Sequence, residues 1–189
     1  MHRRPLLDLL SAHAARRPDQ ADVVARIRQL VVAHADCLVR TCVPGHVTAS
    51  AWVVTPDGKR YLLTHHKKLD RWLQLGGHVD GEPHVELAAL REASEESGLA
   101  PESLSLARIG GELAVLDVDV HVIPAHGAEP AHEHHDVRFL VVVDRMRLPV
   151  VSAESHDVRW LDIDELRQLT DEESVLRLAD AGLVLLGER

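Results

Sequence analysis

Glu92, Glu95 and Glu96 stand at i, i+3 and i+4, the spacing that sets side chains on one face of a helix. Three like charges this close repel one another. A solvated surface tolerates them, but a partly buried site calls for a cation, and hard carboxylate oxygens suit Mg²⁺ or Mn²⁺. Directly upstream runs Gly76-Gly77-His78-Val79-Asp80-Gly81-Glu82, whose glycines let the backbone come close to a ligand. The helix N-terminus that follows offers free N–H donors to an anion. Glu-Glu pairs are common on exposed helix faces. This set is distinguished by its company: a glycine loop, Arg91 and Gly98 at fixed offsets.

The elements that must position these residues follow from periodicity. Residues 82–97 read as a helix, with Pro83 in its first turn, an apolar stripe of Leu87, Leu90 and Ala93, and Gly98 as C-terminal cap. Before it, residues 46–54 and 60–65 read as strands joined at Thr55-Pro56-Asp57-Gly58, a hairpin signal. After it come strand-like runs at 104–109, 113–123, 137–143 and 158–161, a loop at 124–136, and closing helices at 164–169 and 172–186. The opening residues are helical: a short helix at 6–14, then one at 19–35 capped by Asp19, with Val23, Val24, Ile27, Leu30 and Val31 on one face. The absence of regular βαβ alternation points to an α+β sandwich with a mixed sheet rather than a Rossmann sheet. We divide the chain into a helical extension, residues 1–44, packed on a domain spanning 45–189. No internal repeat is visible.

The segment from Gly77 to Leu99 resembles the box of the Nudix hydrolase family, which runs from a glycine through an Arg-Glu pair to a Glu-Glu, then a glycine and an aliphatic residue. Arg91, Glu92, Glu95, Glu96, Gly98 and Leu99 fall on the matching positions. The resemblance implies an α/β/α sandwich, and Mg²⁺, with Mn²⁺ as substitute, held by Glu92, Glu95 and Glu96. It implies cleavage of a pyrophosphate bond in a nucleoside diphosphate joined to another moiety, with Arg91 orienting the carboxylates. One position departs: where the family carries a glutamate six residues after the opening glycine, this chain has Pro83. That glutamate supports the loop by pairing with the arginine, and here either Glu82 or Asp80 is available for Arg91. Glu154, in a loop before a strand ending in Trp160-Leu161, resembles the glutamate outside the box that serves some members as general base.

Other candidates are less specific. Gly77 and His78 lie inside the motif loop and are assigned to substrate binding, with Trp72 as the tryptophan best placed to contact a base. Of fourteen histidines, His132, His134 and His135 crowd one segment. If that segment is strand-like, His134 and Asp136 share a face and line the cleft with His121. A zinc site there lacks a supporting cysteine pair, so hydrogen-bonded or solvated histidines are the expectation. His65-His66-Lys67-Lys68 suits substrate phosphates or a solvated hairpin end equally. Cys37, Cys42 and His46 have a loose metal spacing, but with only three ligands the cysteines read as buried thiols.

Composition narrows the classes further. At 189 residues one well-buried domain suffices. The net charge of −9 argues against broad nucleic-acid binding, while a small nucleotide-derived substrate remains compatible through a cation. Two cysteines and no stretch near ~20 apolar residues point to a cytoplasmic protein without a membrane span, and a homodimer is compatible with everything above. A second function class is a catalytically silent Nudix-fold nucleotide-binding or regulatory module. A third, an isoprenoid diphosphate isomerase, calls for a cleft cysteine, and both cysteines lie upstream of the first strand.

Overall fold

The computed structural model describes residues 2–127 and 129–188. Two helices open the chain, α1 (Arg4–Arg16) and α2 (Ala21–Ala33), joined by a short 3-10 turn at Pro18–Gln20. The strands β1 (Gly45–Val54), β2 (Tyr61–His66), β3 (Arg71–Leu73) and β4 (Leu75–His78) precede the central helix α3 (Val85–Ser97). Then come β5 (Leu104–Leu106), β6 (Arg108–Ile109), β7 (Glu112–Leu113), β8 (Val115–Ile123), β9 (His132–Val143) and β10 (Ser155–Leu161), closed by α4 (Ile163–Leu169) and α5 (Glu173–Gly187).

The main sheet runs β10-β2-β1-β9-β5, with β3 against β2, β4 against β1 and β8 against β9; β6 and β7 pair separately. It is mixed: β1 and β9 are parallel over ten residue pairs, and the pairs β1–β2, β1–β4 and β8–β9 are antiparallel. Alternation along β1 distributes its side chains to the two layers. Val47, Ala49, Ala51 and Val53 join a core with α1, α2 and α3, while Trp52 and Val54 join a second core with α4 and α5. The result is the expected α/β/α sandwich.

The N-terminal helices share the first core through Leu6, Leu10, Val24, Ile27, Leu30 and Val31. Polar links reinforce the seam. The buried His13 ring reaches the Val115 carbonyl at 3.1 Å and the Gln20 carboxamide oxygen at 2.6 Å, and the Gln20 amide donates to Asp117 on β8. Burial holds His13 below its usual pKa, which favours the neutral ring.

Four expectations are corrected. The central helix begins at Val85, not at residue 82, because Asp80 and Gly81 take left-handed backbone conformations (φ 52° and 85°) and the Glu82 carboxylate accepts the His84 N–H at 2.9 Å. Pro83 therefore lies in the turn, and Leu87 is half exposed while Val85, Ala88, Ala89 and Ala93 form the buried stripe. The first two glycines of the motif belong to a strand, β4, paired with β1. Residues 132–136, expected in a loop, extend β9, because both β1 and β8 supply ladder partners for them. Asp19 does not cap α2; Gln20 stands at that position, and Asp19 pairs with Arg17 at 2.7 Å.

Candidate active site

The central helix presents its glutamates to a cleft of about 430 Å³. Gly76 and Gly77 form the wall beside them, and both need the absence of a side chain. A Cβ on Gly76 would fall 2.5 Å from the Ser50 hydroxyl oxygen, and one on Gly77 2.6 Å from Glu92 Oε2. The Gly76 N–H donates to Glu96 Oε2 at 2.9 Å. Arg91 donates to the His78 carbonyl at 2.6 Å and to Glu92 Oε1 at 2.7 Å, and its guanidinium lies 3.8 Å from Asp80. Asp80, not Glu82, is therefore the acidic loop residue facing the arginine. At the far end Gly98 takes the left-handed conformation (φ 66°) and its N–H returns to the Ser94 carbonyl, stopping the helix two residues after Glu96.

Burial shifts these carboxyls. Glu96 is 8% exposed, and desolvation pushes its pKa up to about 7 against the opposing Gly76 hydrogen bond, with Glu92 and Glu154 adding repulsion. Glu92 is also raised, by desolvation first, with Arg91 pulling the other way. Such a carboxylate cluster ionises fully at neutral pH once a cation compensates it.

Glu154 lies in an exposed turn and lines the same cleft, near enough to Glu96 to repel its charge. Its carbonyl accepts the Lys67 N–H at 3.0 Å, fixing the rim to the end of β2. His66 and Lys68 also face the cleft, whereas His65 is turned to Asp70 at 2.9 Å.

The floor is the polar half of one sheet face, laid out in three rungs. His46 on β1 faces His134 on β9, which faces His121 on β8; Thr48, Asp136 and Asp119 follow, then Ser50, Arg138 and Asp117. Thr48 and Ser50 donate to Asp136 at 3.0 and 2.8 Å. The buried Arg138 donates to Asp136 at 2.8 Å and to Asp117 at 3.2 Å, and Arg177 from α5 donates to Asp117 at 3.0 Å and Asp119 at 3.2 Å. Burial works against a charged Asp119, yet the His121 hydrogen bond together with Arg138 and Arg177 holds its carboxyl well below the usual range. In the first rung, burial and neighbouring imidazoles lower His134 to about 2 and His46 to about 4, so both rings are neutral at pH 7.

Sequence reasoning thus placed Glu92, Glu95, Glu96, Gly77, His78, His134 and Glu154 in positions the fold brings together around one cleft. Arg91 stands behind them and acts through Glu92 and the His78 carbonyl. Trp72 is a correction: it is 9% exposed in the second core, stacked on His65 with ring centroids 5.1 Å apart and covered by Arg159. From β3, opposite His65 in the ladder, the indole is not among the described residues that line the cleft. His135 is turned to the other sheet face, beside Glu133. Missed were Thr48, Ser50, Asp119 and Arg138, while His46 carried only a loose metal spacing with Cys37 and Cys42. Their signal was a polar alternation with period two, His46-x-Thr48-x-Ser50 and His134-x-Asp136-x-Arg138, which an apolar search for strands passes over.

Comparison with known proteins agrees with this geometry. The family model described as NUDIX domain matches residues 44–179. A comparison with curated protein sequences returns no significant match. Among solved structures, a Caenorhabditis elegans Ap4A hydrolase in a binary complex is similar with a TM-score of 0.59 at 19% identity, covering 75% of this chain and 97% of that one. A hydrolase of the NUDIX family from Clostridium perfringens gives a TM-score of 0.55 at 27% identity, with coverage of 75% and 97%. The Escherichia coli dihydroneopterin triphosphate pyrophosphohydrolase gives 0.58 at 21% identity, with coverage of 73% and 94%. By the extent of the family match, most of its length from Pro44 onward, the chain belongs to the Nudix hydrolase family.

Proposed function

We propose that the protein hydrolyses a pyrophosphate bond in a nucleoside diphosphate linked to another moiety, in a reaction that depends on Mg²⁺ or Mn²⁺. The carrying observation is the convergence of Glu92, Glu95 and Glu96 with the Gly76-Gly77 wall on one cleft of about 430 Å³, a volume suited to a small nucleotide derivative. The donor set fits the cation: three carboxylates on one helix face, two of them raised in pKa by burial, are hard oxygen ligands short of positive charge. Glu92, Glu95 and Glu96 would hold it, and when bound it supplies Lewis acidity toward phosphoryl oxygens and neutralises their charge.

The residues of the chain supply position and proton handling. The Gly76 N–H fixes one oxygen of Glu96, leaving the other for the cleft. Arg91 clamps Glu92 to the β4 backbone and serves as a positioning residue. Glu154, which lines the same cleft from the turn before β10, is the group assigned to accept a proton from attacking water. His66 and Lys68 add positive or donor character where substrate phosphates enter. Substrate classes compatible with the cleft include ADP-ribose, dinucleotides, nucleotide sugars and modified nucleoside triphosphates. Structural relatives include an Ap4A hydrolase and the NUDIX domain of Shewanella oneidensis NrtR complexed with ADP ribose, the latter at 18% identity and a TM-score of 0.53.

The test is product release from such a panel with Mg²⁺ or Mn²⁺, beside Glu96→Gln. Turnover lost in the variant supports the reading and names the substrate class. Absence of turnover on every compound, with ligand binding retained, moves the assignment to a silent nucleotide-binding module.

A further inference from the structure

The imidazoles at the open end of the cleft floor form a second constellation, distinct in chemistry from the glutamates. His46 on β1, His78 on β4 and His134 on β9 each offer one ring nitrogen, and these atoms all lie within 4.8 Å of one another. The ring centroids are 5.0 Å apart for His46–His78, 4.8 Å for His46–His134 and 5.4 Å for His78–His134. The ladder produces this meeting. His46 and His134 are register partners, and His78 pairs with Thr48, one rung away on the same face.

His46 is the second, independent observation. It is 1% exposed, and neither ring nitrogen makes a well-formed hydrogen bond among the described residues, with only the Cys42 backbone nearby. A buried imidazole this poorly paired is costly, yet here it is packed against two further imidazoles. Two more histidines are already oriented around the group. His132, 5.0 Å from His46, engages the Pro130 carbonyl through Nδ1 at 2.9 Å, and His121, 5.5 Å from His134, engages Asp119 through Nδ1 at 3.1 Å.

We propose that His46, His78 and His134 bind a borderline transition-metal ion of the zinc type, separate from the hard-cation site on Glu92, Glu95 and Glu96. Imidazole nitrogen selects zinc, cobalt or nickel over magnesium. Zinc–nitrogen bonds of about 2.0–2.1 Å set tetrahedral ligand atoms ~3.4 Å apart, a spacing that ring rotation reaches from the present arrangement. Three protein ligands leave a fourth position, and it opens on the cleft that His78 and His134 line. A site of this form takes an oxygen ligand from water or from an anionic group.

The test uses tag-free protein stripped with a chelator, reloaded with Zn²⁺ and dialysed, with metal per chain measured by mass spectrometry. Co²⁺ loading is followed by visible absorption. Wild type should retain one zinc per chain and show the intense bands of tetrahedral cobalt. His78→Gln and His134→Gln, both at partly exposed positions and checked for native circular dichroism, should weaken zinc binding beyond the ~10–100-fold that losing an outer partner costs. Glu95→Gln should retain the zinc. Failure of wild type to retain zinc or to develop the cobalt bands overturns the proposal. So does equal retention in the two histidine variants, or loss in Glu95→Gln alone, which assigns the ion to the glutamates. None of these readouts depends on turnover, so the hydrolase assignment stands or falls separately.

Discussion

Glu96 accepts the Gly76 N–H across twenty residues of chain, tying the cleft-facing side of the central helix to the strand that walls the cleft. The same carboxyl is raised to about 7 by burial. In metal-free protein the folded state keeps its proton until about pH 7, while the unfolded chain releases it near the ordinary value of 4.5. Between those values the folded state binds more protons, so stability falls as pH rises, by on the order of 3 kcal/mol in all. Thermal melts in chelator should show Tm declining from pH 5 to pH 7. Mg²⁺ should flatten the decline, and Glu96→Gln should remove most of it while abolishing turnover. A pH-independent wild-type Tm over this range would contradict the assignment.

Gly77→Ala separates site geometry from stability. The added Cβ meets the carboxylate end of Glu92 at 2.6 Å, a flexible group that can move aside. Urea unfolding should therefore change by less than about 1.5 kcal/mol, whereas the Mg²⁺ concentration for half-maximal activity should rise ~10-fold or more. An unchanged Mg²⁺ titration would show that Glu92 does not contribute to the cation site.

Glu154→Gln addresses proton transfer. A general base contributes typically ~10²–10⁴ in rate, so kcat should fall by that factor. Mg²⁺ affinity should change less than in Glu95→Gln, because Glu154 stands on a loop outside the helix face that carries the three glutamates. A loss confined to KM would reassign it to substrate binding.

Asp117→Ala probes the floor from beneath. Asp117 is fully buried, paired with Arg138 and Arg177 and bonded by Gln20. Removing it leaves Arg138 with Asp136 and Asp119 and Arg177 with Asp119, but takes one charged hydrogen-bond partner from each and orphans the Gln20 amide, at a cost of about 1.5–3 kcal/mol. Chemical denaturation reads this directly, and a loss below about 1 kcal/mol would mean that water replaces the carboxylate.

What the sequence disclosed follows from how local the signals were. The glutamates, Arg91 and Gly98 lie on one helix and its cap, so their geometry is fixed by helical spacing alone. The Arg91 partner was undecided between Asp80 and Glu82, because the choice turns on left-handed backbone at Asp80 and Gly81. Non-local features were harder. His46 and His134 are 88 residues apart and meet only through a parallel ladder. The two short strands around Leu73 lie in a segment whose glycines read as loop, and they form because β1 and β2 offer partners. Trp72 was placed by its nearness to the glycines, whereas its strand register decides its direction.

Strands β1 and β9 change character along their length, from His46, Thr48 and Ser50 to Trp52 and Val54, and from His134, Asp136 and Arg138 to Leu140 and Val142. The apolar halves are pinned beneath α4 and α5, and pairing in the ladder carries that alignment into the halves that floor the cleft. The polar residues therefore behave as marks on a ruler, about 6.7 Å apart along each strand and ~4.8 Å between strands. Imidazoles stand at the open end, hydroxyls and a carboxylate in the middle, and a buried guanidinium at the base. Exchanging a mark alters what a ligand meets at that depth without moving the scale, so ligand preference can drift in this chain while its architecture stays fixed.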